Sequence, residues 1–204
     1  VGPLTLVIEE TKAVRGEVVL DGTATRGALV LAQVLSPGGA VIANREGRWD
    51  PRAPFFTVEV PEASAGADLL ISAAGAAVRL QRVTWPGDNQ RLDLQVRSAS
   101  QGGRIAFELP DASSGSNEDL DRVRGLFLRG PQGQIAVAEL VARLDVEFVP
   151  PGSIRVRPPF EPGLYGLCVT TAECVEGYLA PAQDLVFEGA RLPSLKPLFG
   201  NESP

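Results

Sequence analysis

The chain has 204 residues, a hydrophobic fraction of 44% and a formal net charge of −6 at pH 7. That length fits one or two domains, the apolar content is enough for packed cores, and the acidic balance argues against a nucleic-acid or anionic-lipid partner. The absence of histidine excludes a Ser-His-Asp triad, a Cys-His pair and a His-ligated zinc site.

No apolar run approaches the roughly 18 residues of a membrane-spanning helix, so no membrane insertion is expected. The 19 basic residues include only two lysines, Lys12 and Lys196, a skew that we read as genomic or thermal bias rather than as the mark of a partner. Methionine is absent even from position 1, where Val1 stands. Such a start fits an exported chain that has lost a signal peptide, and trimming of an initiator Met leaves the same result. The expected location is extracellular or at the cell surface.

In chain order, strand-like segments recur every eight to twelve residues. The first set covers 4–8, 16–20, 28–34, 55–60, 68–72, 77–84 and 91–97. The second covers 104–109, 123–129, 135–138, 144–149, 153–156, 165–169 and 184–187. Turn signals fall between them, among them Asp21-Gly22, Pro37-Gly38, Pro86-Gly87 and Pro131-Gln132-Gly133. The stretch 134–145 has helix formers, but its apolar residues serve two strands equally well. The 22 glycines and 17 prolines are spread along the chain, as many turns between short strands require. The pattern is all-β.

An internal repeat divides the chain. LTLVIEETKAVRGEVVLDG (4–22) and LDLQVRSASQGGRIAFELPD (92–111) share an L-x-L strand, a polar connection, a Gly, and a second strand ending at an Asp-containing turn. A repeat near 90 residues is the size of a small β-sandwich domain. The expectation is two tandem sandwiches, at 1–97 and 98–192, followed by a tail at 193–204.

The first domain resembles the carboxypeptidase regulatory-like family, whose members are transthyretin-like, Ig-type β-sandwiches. The resemblance is carried by Gly16, Asp21-Gly22, Gly27-Ala28, Gly47 with Trp49, and Gly75. In the second domain, 150–169 is similar to the family's P-P-G-x-Y-x-L stretch, with Pro162-Gly163 before Tyr165; the 111–121 loop and the cysteine segment depart from it. These are turn and strand residues, so the resemblance implies a fold and the roles of spacer, stalk, adhesion or accessory domain, and it transfers no catalytic residues.

Few residues invite chemistry. Cys168 and Cys174 lie six apart, a spacing that suits a disulfide across a tight hairpin or loop in an exported protein, the alternative being two buried thiols. Oxygen ligands in DASSGSNEDLD (111–121), notably Asp111, Asp119 and Asp121, are a weak Ca²⁺ candidate without EF-hand spacing. Lys12 with Glu17 or Glu59 and Asn89 has the residue types of an isopeptide crosslink. Trp49 and Trp85 are weak candidates for stacking on a sugar, their alternative being core or edge plugs. The adjacent acids Glu9-Glu10 and Glu118-Asp119 face opposite ways if they lie on strands. No enzymatic function is expected, and no cofactor.

Assembly is the remaining question. Segment 4–8 precedes the first domain, and the proline-containing tail after 184–187 is a poor strand, so one strand reads as surplus at the front and one as missing at the back. Donation of residues 1–9, through Leu4, Leu6 and Ile8, into the next copy would build a head-to-tail filament. The expected function is therefore an extracellular fibre subunit or a surface spacer, with itself or neighbouring surface proteins as partners. The alternative is a carbohydrate-binding or adhesion accessory module.

Overall fold

The computed structural model describes residues 10–85, 91–108, 125–149, 152–169 and 173–188. The chain is all-β apart from one short helix and one 3-10 turn among these residues, and it divides into two compact units, Val1–Ser98 and Ala99–Pro204.

Unit 1 begins with β1 (Thr11–Leu20) and β2 (Thr23–Thr25), joined by Asp21-Gly22. Both turn residues have positive φ, 49° and 77°, the two-residue turn whose twist matches a β-hairpin. Then follow β3 (Leu29–Leu35), β4 (Val41–Glu46), β5 (Arg48–Trp49), β6 (Phe56–Pro61), β7 (Gly66–Ser72), β8 (Arg79–Thr84) and β9 (Arg91–Val96). One sheet is β5-β6-β1-β9, in which β9 runs parallel to β1 and β2 extends the β6 side. The other is β4-β3-β7-β8, antiparallel throughout.

Alternate residues of both sheets form one core: Val14, Val18, Phe56, Val58 and Leu94 from the first, and Val30, Ala32, Leu69, Ile71 and Val83 from the second. Each of these side chains larger than alanine contributes about 1.5–3 kcal/mol on full burial. In β3 and β7 the opposite face is buried as well, at Leu31, Gln33, Asp68 and Leu70. Burial on both faces explains why these strands read as near-continuous apolar runs rather than alternating ones.

Unit 2 contains β10 (Arg104–Glu108), β11 (Phe127–Arg129), β12 (Gln134–Ala136), α1 (Val137–Arg143), β13 (Val146–Val149), β14 (Ser153–Val156), β15 (Gly163–Cys168), β16 (Cys174–Leu179) and β17 (Asp184–Glu188). Its sheets are β13-β14-β10-β17 and β12-β11-β15-β16, with β17 parallel to β10. Apart from β2, which has no counterpart among the described strands of unit 2, this is the connectivity of unit 1. The crossing from one sheet to the other differs. Unit 1 turns from β4 to β5 at Gly47, where a Cβ would press on the Phe56 ring at 3.0 Å and on Val30 at 3.2 Å. Unit 2 makes the same crossing with α1, which buries Val137 and Leu140 on one face. The ambiguous 134–145 stretch thus divides into a three-residue strand and a seven-residue helix.

Two expectations need correction. Segment 174–179, absent from the strand-like segments expected from sequence, is the strand β16. Overlooking it made unit 2 appear one strand short. Asp184–Glu188 takes the place of the strand that read as missing: it lies beside β10 through five residue pairs, as β9 lies beside β1 through six. The place that a donated strand was expected to fill is taken by the chain's own β17.

The β14–β15 corner is tied by Tyr165, a buried side chain whose Oη donates to the Glu161 carbonyl at 2.7 Å while its ring stands edge-on to Phe160. In unit 1 the β6–β7 corner is tied instead by the Ser64 hydroxyl, which donates to the Pro61 carbonyl and accepts from the Trp85 indole N–H at 2.8 Å. Just beyond, β7 approaches β8 so closely that a Cβ on Gly66 would overlap the Val83 carbonyl oxygen. Tyr165→Phe should cost about 1 kcal/mol for the lost hydrogen bond, and Gly66→Ala about 1–3 kcal/mol for overpacking. Urea unfolding followed by amide exchange and mass spectrometry should place each loss in the mutated unit; an equal loss of protection in both units contradicts two separately built cores.

Candidate functional site

Among the described residues, those nominated from sequence do not converge on one site. Cys168 and Cys174 form a disulfide; they are the last register pair of the β15–β16 hairpin, with Cα atoms 4.0 Å apart. Trp49 directs its indole N–H to the Ala28 carbonyl at 2.7 Å and packs edge-on against Phe56, ring centroids 5.7 Å apart. Trp85 donates to Ser64, and both tryptophans lie against the unit 1 core. Lys12 reaches the Glu62 carbonyl at 3.3 Å. Its strand position pairs with Val60, whereas Glu59 pairs with Ala13 and Glu17 has the parity of Ala13, so both acids project from the face opposite to Lys12. The described members of the isopeptide set are therefore not brought together. Leu4, Leu6, Ile8, Asn89, Asp111, Asp119 and Asp121 lie outside the described residues.

The tertiary structure instead assembles four features that sequence reasoning did not single out. The first is a polar row across the second sheet of unit 1, Asn44–Gln33–Asp68–Arg82 in register. Asp68 is 1% exposed and accepts two hydrogen bonds of 2.8 Å from Arg82. Hydrogen bonding to Asp68 pushes the Arg82 guanidinium above its ordinary value. Gln33 completes the row by donating to Asn44 at 3.3 Å. A carboxylate this deep needs such pairing, because unpaired it would carry its full desolvation penalty.

The second is a polar cavity of about 490 Å³ where β4 crosses to β5, lined by Asn44, Arg45, Glu46, Gly47, Arg48, Thr57 and Glu59. Its two guanidinium groups, two carboxylates, amide and hydroxyl can hydrogen-bond a polar molecule.

The third lies on the parallel ladder of unit 1. Arg15 and Arg91 stand directly opposite each other, like charges that repel. The Phe55 ring lies against both guanidinium groups, at 5.6 and 5.2 Å from its centroid, and Glu17 sits 3.4 Å from Arg91. The ring's negative face and the carboxylate offset the repulsion.

The fourth is the outward face of the β15–β16 hairpin. Leu164 and Tyr178 are a register pair there, 52% and 68% exposed. The adjoining row holds Gln134, Arg129, Gly166 and Glu176. Alternation in CVEGYL could have revealed Tyr178, since Val175, Gly177 and Leu179 share the inward parity and Cys174, Glu176 and Tyr178 the outward one.

No family model matches this chain, and no curated protein matches it. Among solved structures it is similar to the Bacillus anthracis TIE protein, at 10% identity and TM-score 0.33 over 87% of this chain and 33% of that one. It is similar also to a leucine-rich repeat protein from Bacteroides thetaiotaomicron, at 8% identity and TM-score 0.25 over 87% of this chain and 26% of that one. The chain spans about a third and about a quarter of their lengths, and at these scores neither similarity assigns a fold or a function. Among the described residues, no helix is long and apolar enough to cross a membrane.

The two covalent and ionic ties should act on different units. Reducing Cys168–Cys174 should lower the stability of unit 2 by roughly 2 kcal/mol, as expected for opening a short loop. Asp68→Ala should lower that of unit 1 by about 2 kcal/mol, the worth of hydrogen bonds to a charged group. Urea titration with amide exchange read separately on peptides of each unit checks both.

Proposed function

We propose that this chain is an extracellular structural protein, a spacer built from two tandem β-sandwich domains of the Ig-like, transthyretin-like kind. One observation carries the proposal: in each unit the first and last described strands are parallel neighbours, β1 with β9 and β10 with β17. The chain therefore enters a unit at one end and leaves it at the other. With β1 running from Thr11 to Leu20, entry and exit stand about 30 Å apart at roughly 3.3 Å per residue. A module threaded in this way adds its own length wherever it is inserted in a chain.

The sandwich assignment draws on the shared core of the unit 1 sheets and on the Tyr165 corner, a device of Ig-type sandwiches. The disulfide suits an oxidising compartment. Filament formation by strand donation is the weaker form of the structural proposal, because the edge of β10 is already occupied by β17. Light scattering over a range of concentrations, with negative-stain microscopy, separates the two. A single 21.5 kDa species supports the spacer. Filaments that disappear when residues 1–9 are deleted overturn it in favour of strand donation.

A second proposal, a carbohydrate-binding accessory module, is favoured by the exposed Tyr178 beside Leu164, with Glu176 and Arg129 in the next row. The balanced charges of that row suit a neutral saccharide, whose apolar ring face stacks on an aromatic. Trp49 and Trp85, packed on the core, are not the natural platform. Native gels cast with soluble neutral polysaccharides should retard the chain, and Tyr178→Ala should abolish the retardation. Unchanged mobility of the wild type removes this proposal.

A further inference from the structure

We infer that the parallel first–last strand pair of each unit is a mechanical clamp, so that the chain bears tension as well as setting distance. The inference rests on the spacer reading and adds to it a load-bearing role. Tension arriving along the chain pulls β1 toward its Thr11 end and β9 toward its Val96 end. In a parallel pair those forces are opposite and lie along the strands, so the ladder is loaded in shear and its hydrogen bonds must yield together. Pulling apart the open end of a hairpin would break such bonds one at a time. Parallel ladders space their bonds evenly, which spreads the load. The same geometry recurs in β10 and β17, which are pulled toward Arg104 and Glu188 respectively. It holds for each unit by itself, because it depends only on where the chain enters and leaves that unit.

The register gives each clamp its length. Six pairs run from Arg15–Arg91 to Leu20–Val96 in unit 1, and five from Arg104–Asp184 to Glu108–Glu188 in unit 2. A slip by one residue would turn Leu94 and Val96 from the core to solvent, so sliding is resisted by burial as well as by hydrogen bonds. β1 is also held on its other edge by β6 through Thr11–Gly16, whereas β9 pairs with β1 alone among the described strands. The β1–β9 seam is therefore the place where unit 1 yields.

Both seams are braced by side chains that reach across them. In unit 1 the Phe55 ring touches Arg15 on β1 and Arg91 on β9 at once, and the Arg91–Glu17 ion pair crosses the same seam. Bracing gives a reason for two arginines to face each other in a ladder, a placement that is unfavourable without the ring. In unit 2, Phe107 and Phe187 are a register pair across β10 and β17, with stacked rings 6.2 Å apart. The disulfide lies on β15 and β16, outside the clamp, so it limits how far unit 2 extends and not when it yields.

Single-molecule stretching of the full chain between terminal handles tests this. Two force peaks are expected, each lengthening the chain by about 27 nm at roughly 3.5 Å per released residue. Reductant should add about 2 nm to one peak only, by freeing the loop between Cys168 and Cys174, and so identify unit 2. Phe55→Ala should lower the peak that ignores reductant, and Phe187→Leu the one that responds. Phe55→Leu, which keeps apolar bulk without the ring, should fall between wild type and alanine and serves if the alanine variant folds poorly. Extension without resolved peaks, or Phe55 variants whose melting temperature falls while the unfolding force stays the same, would falsify the clamp. A monomeric chain with no force peaks would leave the spacer standing without the clamp, whereas filaments in light scattering would remove the spacer whatever the force curve shows.

Discussion

The parallel pairing of first and last strands is the constraint on which the rest of this chain depends. A unit built wholly of antiparallel hairpins can return its chain to the edge where it began. Here β9 runs alongside β1 and β17 alongside β10 in the same direction, which obliges the intervening strands to pass back and forth between two sheets. That traffic places β3 and β7 together at the centre of the second sheet in unit 1, and β11 and β15 in unit 2. It also closes each first sheet with a strand from the same unit.

Around the seam, the two units meet the same topological demands with different chemistry. The sheet-to-sheet crossing is made by one glycine under Phe56 in unit 1 and by a seven-residue helix in unit 2. The corner before the third strand of the second sheet is tied by serine and tryptophan in one and by tyrosine in the other. The outward side of that third strand carries the buried Asp68, paired with Arg82 of β8, in unit 1, whereas the hairpin of unit 2 carries a disulfide and an exposed tyrosine. Similar connectivity with different ties is how an internal repeat fades from sequence while it persists in structure. Turn and corner positions tolerate any residue that satisfies the backbone groups there.

Much of this was legible in sequence because it is local. The Asp21-Gly22 hairpin, the alternation of β6 and β9 and the spacing of the two cysteines all depend on neighbours a few residues apart. The strand β16 was missed because Glu176 and Gly177 dilute its apolar pattern, and the error carried forward into a unit that looked one strand short. The two tryptophans illustrate a different limit. Their polar edges and broad faces suit a ligand platform or a core plug equally, and only the positions of Ala28, Phe56 and Ser64 decide for the plug.

By itself the sequence determined the all-β class, the Asp21-Gly22 turn and the absence of histidine chemistry, since each follows from composition and short-range patterns. The tertiary structure alone decided which strands are neighbours. Parallel pairing joins residues about 76 to 80 positions apart, as Arg15 with Arg91 and Arg104 with Asp184, and no local pattern records such a contact. It also decided that Asp68 is buried against Arg82, that Phe55 bridges two arginines, and that both tryptophans pack on the unit 1 core. Each of these is a relation across strands. Such relations are set by register, and register exists only once the sheets have formed.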